Sequence, residues 1–170
     1  MFEIGDYIIY GNNGVCKVVE IGPIQLSGIN NKRLYYTLEP VYEQGSKVYT
    51  PVGNKKVLMR EIISKDEAAK LIDEIPDIEF DKELNDKERE HRIRGALRTI
   101  DCREWIRSLK LLYFRKQERN AEGKKITSSD EKFFQAVEDC LYGELSISMD
   151  KSKEEIEEFI LSQLKEIELA

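Results

Sequence analysis

The sequence predicts an α+β chain: a small N-terminal β-barrel or strongly bent antiparallel sheet over residues 1–60, then an all-α module of about five helices over 61–170. Three observations lead there. Turn signals break the first third into short apolar runs. The hydrophobic period changes from strand-like to helical near residue 64. Beyond that point, Ser/Asp-x-x-Glu helix starts recur four times.

Taken in order, Tyr7-Ile8-Ile9-Tyr10 reads as a strand closed by the turn signal Asn12-Asn13-Gly14. Val15–Ile21 is the second strand, with Val15, Val18, Val19 and Ile21 apolar. Ser27-Gly28-Ile29-Asn30-Asn31 makes the next turn, and the tyrosine-rich run 33–38 the third strand. Pro40 and Glu43-Gln44-Gly45-Ser46 interrupt before a fourth strand over 47–52. Val57-Leu58-Met59 adds a short fifth. So few short strands bury little as a flat sheet, so the sheet is expected to curl.

Helix starts are expected at Ser64…Glu67, Asp101…Glu104, Ser128…Glu131 and Ser152…Glu155. In the serine cases the hydroxyl and the Glu carboxylate can each satisfy one orphan N–H. An Asp caps and also favours the positive end of the helix dipole. The expected helices are 65–74, ending before Pro76, then 86–99, 102–120, 129–146 and 153–168. Trp105, Leu109, Leu112 and Tyr113 share one face of the third, so Trp105 is expected in the core. Phe134, Val137, Leu141 and Leu145 align on the fourth. Ile156, Phe159, Ile160, Leu164 and Ile167 align on the last, opposite acidic residues. Residues 75–85 are the least regular stretch and the expected hinge between the halves.

The chain has 41% hydrophobic and 35% charged residues, which suits a packed fold with a solvated surface. No run reaches the length of a membrane span, and MFEIGDY does not read as a signal peptide, so a cytoplasmic location is expected. Cys16, Cys102 and Cys140 form no CxxC and read as small buried hydrophobes. Pairing of one of them with His91 as a nucleophilic site is the weaker reading, because His91 lies among Arg and Glu on a solvated helix. No Gly-rich phosphate loop, HExxH or GxSxG is present. A non-enzymatic binding protein without cofactor or metal is expected.

Charge is unevenly distributed. Residues 87–125 carry 13 Lys/Arg against 6 Asp/Glu in a chain whose net charge is −6. Basic residues near a helix C-terminus stabilise its dipole by roughly 0.3–1 kcal/mol each. That accounts for two or three of Arg115, Lys116 and Arg119, but not for Lys124, Lys125 or the upstream arginines, Arg89 and Arg92 included. Some of those are offset by acidic neighbours one helical turn away. The remaining excess points to an anionic partner, with nucleic-acid phosphate favoured over an acidic protein or a membrane surface.

The segment IGDYIIYGNNGVCKVVEI resembles the opening of CarD-type (CdnL) bacterial transcription regulators, F-x-x-G-D-x-V-V-Y-P-x-x-G-V-G-x-V. REIISKDEAAKLID is similar to that family's link into its first helix. LLYFRKQERNAEGKKITSSDEKFFQAVEDCLYGELSIS resembles its C-terminal stretch. The resemblance implies a Tudor-like RNA polymerase-interacting domain, related to one in transcription-repair coupling factor, that docks on the protrusion or lobe of the polymerase β subunit. It implies a helical domain contacting promoter DNA upstream of the opened region, weakly and largely without sequence specificity. The two together would stabilise the open complex, with no cofactor. A monomer located with the nucleoid is expected.

Carried over residue by residue, the family's basic cluster falls on Arg115, Lys116 and Arg119, with Lys124 and Lys125 beside it. The family's polymerase-contacting arginines fall near Ile24 and Tyr49, so the expected contact set is Ile24, Gln25, Lys47 and Tyr49, dominated by main chain. Gly11 stands where the family has Pro. Many members insert a Trp into the minor groove at the edge of the bubble. The matching stretch FDKELNDKERE has none, which leaves Phe80 or Leu84 as a substitute wedge, or a weakened one. The alternative is a protein-interaction adaptor whose basic helical face meets an acidic protein.

Overall fold

The computed structural model describes residues 1–24 and 32–169; the turn expected at 27–31 lies outside them. The chain divides into two compact units, Met1–Ile62 and Ile63–Ala170.

The first unit is a five-stranded antiparallel sheet: β1 (Tyr7–Tyr10), β2 (Val15–Gly22), β3 (Tyr35–Pro40), β4 (Val48–Pro51) and β5 (Met59–Glu61). The spatial order is β4-β3-β2-β1-β5, so β4 and β5 are outermost. A register shift between Val18 and Glu20, opposite β3, marks a bulge, and bulges bend and twist a strand. The bend lets side chains from both ends of the sheet share one core. Ile8, Tyr10, Cys16, Val18, Tyr36 and Leu38 are buried there, flanked by Val48 and Val52 from the β4 side and Val57 and Met59 from the β5 side. Phe2 closes the N-terminal end: its N–H donates to the Tyr36 hydroxyl at 3.0 Å and its ring lies 5.7 Å from the Tyr36 ring.

Two details differ from expectation for local reasons. The fifth strand forms at Met59–Glu61, two residues later than its apolar run, since Val57 turns into the core and Leu58 is left 56% exposed. At the β1–β2 turn Gly11 has φ +45° and donates to Leu58 O at 2.9 Å. A proline there has neither the torsion nor the N–H. A Cβ at this position would come within 2.8 Å of Val57, so the departure from the family pattern is built into the turn.

The second unit holds α1 (Lys65–Asp73), α2 (Asp86–Arg98), α3 (Cys102–Ala121), α4 (Ser128–Met149) and α5 (Lys153–Leu169). Ser64 and Glu67 make both halves of a capping box, and Asp101 accepts from Arg103 N–H. The α4 cap is Thr127, one residue before the expected serine, and α2 is capped by Asn85. Trp105, Leu109, Leu112 and Tyr113 of α3 are buried, as are Val137, Leu141 and Leu145 of α4 and Ile156, Ile160 and Leu164 of α5. Phe159, expected on the same α5 face, is 41% exposed. Glu144 is fully buried. It accepts from Ile63 N–H at 2.9 Å and from the Cys102 thiol at 3.1 Å, which fixes the start of the unit against α3 and α4.

Residues 75–85, where a hinge was expected, lie wholly inside the second unit. Ile75–Asp77 is a 3-10 turn, and Ile75 and Ile78 are buried. Lys110, 1% exposed in the middle of α3, donates to the carbonyls of Ile75 at 2.5 Å, Ile78 at 2.6 Å and Pro76 at 3.5 Å. Its ammonium also lies 5.2 Å from the centre of the Phe80 ring. One member of the basic block is thereby spent on holding the protein's own turn.

Burial pushes the Lys110 ammonium down to about 8 from an ordinary 10.5, with Asp77 opposing the shift and Lys82 adding to it. Between those values the folded chain binds fewer protons at this site than the unfolded chain, so the site's contribution to stability rises with pH across that window. Urea unfolding at pH 8 to 10.5 is expected to show the wild type gaining on Lys110→Met as pH rises; a constant difference contradicts the assignment.

Candidate functional site

Three of the four sheet residues expected at a protein contact converge. Ile24, Lys47 and Tyr49 line one groove of about 330 Å3 with Glu20, Pro23 and Thr37; Gln25 lies outside the described residues. Their characters differ. Ile24 is 8% exposed and forms the groove's apolar base, whereas Tyr49 is 42% exposed on β4 and Lys47 is exposed just before it. Tyr49 pairs with Thr37 of β3, and β4 is an outermost strand. An outermost strand can pair by main-chain hydrogen bonds with a strand of another protein.

In the helical unit the basic residues separate into two groups. Arg89, expected to face a ligand, is 8% exposed; its guanidinium lies 3.4 Å from Asp130 at the start of α4 and 3.1 Å from Asp86. It shares the inner face of α2 with buried Ile93 and Ala96, one and two turns on. That i, i+4, i+7 spacing was the signal in the sequence that Arg89 points inward. Arg115 is half-buried, 3.8 Å from Asp86 and 3.4 Å from Glu118. Arg103 pairs with Glu74, and Arg107 with Glu104.

The second group faces solvent. Lys116, Lys124 and Lys125 are exposed, and so is Arg92 on α2. Arg119 is half-buried and organises the corner between α3 and α4: its Nε donates to Lys125 O at 2.7 Å, while Lys124 N–H donates to Arg119 O at 2.8 Å. Gly123 at φ +75° completes the turn. The corner thus displays Lys124 and Lys125 directly before the N-terminus of α4, whose positive dipole end adds to their field. Lys124 lies 3.5 Å from Glu122, an exposed pair of the kind worth little in water.

Phe80 and Leu84 are both half-buried and line two grooves, one of about 560 Å3 and one of about 370 Å3. Lys82, Lys87 and Arg115 border the first; Arg92 and Arg107 border the second. Phe80 is already engaged. It stacks on Phe114 at 5.2 Å and 16°, and Lys82 lies 5.6 Å from its ring centre. Leu84 is the freer of the two.

The cysteines offer no activated thiol. Burial pushes Cys16 up to about 11, with Glu43 adding to the shift. Burial does the same to Cys140, also to about 11, helped by Asp139 and Glu144. Cys102 donates to Glu144, and His91 is exposed on α2. Among the described residues no helix is long and apolar enough to cross a membrane.

A family model described as the CarD-like/TRCF RID domain matches residues 2–63, the whole of the sheet unit. Residues 2–63 thus form a CarD-like/TRCF RID domain, which supports interaction with RNA polymerase and a transcription-related function. A comparison with curated proteins gave no match.

The two groups of cations respond differently to truncation. Arg89→Ala leaves Asp130 without its buried partner and is expected to cost about 3–5 kcal/mol. Arg92→Ala should stay within about 0.5 kcal/mol. Urea denaturation of the two variants checks this, and equal effects contradict the division.

Proposed function

We propose that the chain regulates transcription initiation by binding the RNA polymerase β subunit through its sheet unit and upstream promoter DNA through its helical unit, so stabilising the open complex. The observation that carries this reading is the pairing, in one chain, of a polymerase-interacting domain with the solvent-facing cations Lys116, Lys124 and Lys125 at the α3–α4 corner. The β4 edge, with Tyr49, Lys47 and the Ile24 groove, meets the β subunit by strand addition. The outermost position of β4 suits a contact dominated by main chain.

On the DNA side, Lys116, Arg119, Lys124 and Lys125 hold backbone phosphates, with Arg92 as an outlying contact. Phosphate contacts fix position without reading sequence, so the DNA contact is weak and general. Docking on polymerase raises the local concentration of the basic corner near the duplex, and weak contacts then suffice. Arg89 takes no part, since its guanidinium is occupied by Asp86 and Asp130.

Leu84 serves as the wedge at the bubble edge, because Phe80 is held by Phe114, Lys82 and Lys110. Cations are in excess on one flank only: Lys82 and Lys87 border the first groove, whereas in the second Arg92 and Arg107 are outnumbered by Glu79, Asp81 and Glu104, so a phosphate strand suits the Lys82–Lys87 side of the inserted side chain. An aliphatic side chain stacks less well on bases than an aromatic one, so this wedge is weaker than a Trp.

Replacing Lys116, Lys124 and Lys125 together by Glu is expected to abolish stabilisation of the open complex while polymerase binding persists. Loss of polymerase binding in that variant contradicts the division of labour. Leu84→Ala should shorten, and Leu84→Trp lengthen, the lifetime of the open complex on a linear promoter in the presence of a heparin competitor. Unchanged lifetimes in both variants remove the wedge from the mechanism.

A further inference from the structure

A groove of about 280 Å3 lies between α3, α4 and α5 and takes no part in the contacts proposed above, apart from Lys116 on its rim. Its floor is apolar: Leu109 and Leu164 are buried, with Phe134 and Leu161 half-buried beside them. Its rim is acidic. Glu131, Glu138 and Glu157 line it against the single ammonium of Lys116. The rest of this unit's exposed corner is basic, so the groove reverses the local sign.

The carboxylates are only partly compensated. Burial raises the proton affinity of Glu138, and the charge of Glu157 across the groove raises it further. Asp139 adds to the shift, while the Tyr142 hydroxyl, hydrogen-bonded to Glu138, and Lys116 oppose it. Lys116 lies 5.9 Å from the Phe134 ring centre. A second cation between Glu138 and Glu157 would neutralise a repulsion that the protein leaves standing, and its hydrocarbon stem would cover the apolar floor. Arg suits the place: its planar head can bridge two carboxylates and lie over an aromatic ring.

We propose that this groove is a docking site for a protein partner, which inserts an arginine flanked by apolar residues between Glu138 and Glu157. The site shares Lys116 with the proposed phosphate contact and is otherwise distinct from it and from polymerase docking by the sheet, so the peptide test below is decided without either. A duplex or a phosphate ligand is excluded from it by sign. Binding needs Glu138 ionised, so it strengthens as pH rises through the titration of that group, with Glu157, Asp139, Tyr142 and Lys116 as the charged or titratable neighbours.

The test is a two-dimensional NMR titration of the full chain with the capped peptide acetyl-Leu-Arg-Leu-amide and with its citrulline counterpart, which keeps the shape and removes the charge. The expected result is saturable shifts at Glu138, Tyr142 and Glu157, with the arginine peptide bound about fivefold more tightly, in the range of a partly exposed ion pair. The preference should vanish in Glu138→Gln/Glu157→Gln. That variant keeps the side-chain volume and relieves a repulsion, so its fold is safe, and thermal unfolding verifies it. Equal affinity for the two peptides overturns the proposal, as does an absence of saturable shifts at those residues or an undiminished arginine preference in the double variant.

Discussion

The ion pair between Arg89 and Asp130 joins the inner face of α2 to the first turn of α4, and much of the functional surface follows from it. A guanidinium taken out of water must be paired, and here Asp86 and Asp130 supply the partners. Asp86 also lies near Arg115, so one short network ties α2, α3 and α4 together. The start of α4 is therefore fixed, and with it the corner at which Arg119 staples Lys125. The exposed lysines can stand ready for an anion because other cations of the block carry the structural duties. Lys110 is the second of these: it is buried against three carbonyls and holds the turn that leads to Phe80.

Charge in this chain is thus sorted by burial rather than by sequence position. Counted along residues 87–125, the basic block reads as one positive surface. In space, Arg89 and Lys110 face inward, Arg94, Arg103 and Arg107 are matched to neighbouring glutamates, and the outward excess falls on Lys87, Arg92, Arg98, Lys116, Lys124 and Lys125. An electrostatic partner meets a smaller and better defined patch than the count suggests. The acidic groove between α3, α4 and α5 lies on the same unit with the opposite sign. One small helical unit therefore carries two surfaces of opposite sign.

The fold was legible because its signals are local. Ser64 with Glu67, Asp101 with its own first turn, and the Asn12-Asn13-Gly14 turn each act within a few residues, and each forms as expected. Trp105 and its neighbours followed from helical spacing alone. The failures share a different cause. Val57-Leu58-Met59 read as a strand by hydrophobicity, yet the ladder is set by pairing with β1, and Leu58 falls outside it. The 75–85 stretch read as a hinge because it is irregular, but Lys110 satisfies its carbonyls from thirty-odd residues away, a contact no local pattern records. Arg89 was the recoverable miss, since its spacing to Ile93 and Ala96 marks the inner face. In the binding surface, the convergence of Ile24, Lys47 and Tyr49 followed from family likeness, whereas the burial of Ile24 and the engagement of Phe80 needed three dimensions.

The central claim is that the sheet unit grips polymerase while the cations of the α3–α4 corner rest on DNA. Site-specific photocrosslinking in the assembled promoter complex addresses it most directly, with a benzophenone amino acid placed in the full chain at Tyr49 in one protein and at Lys125 in another. The account requires the probe at Tyr49 to join to the polymerase β subunit and the probe at Lys125 to join to upstream promoter DNA. A Lys125 probe that labels only protein, in complexes where Tyr49 still reaches polymerase, contradicts it.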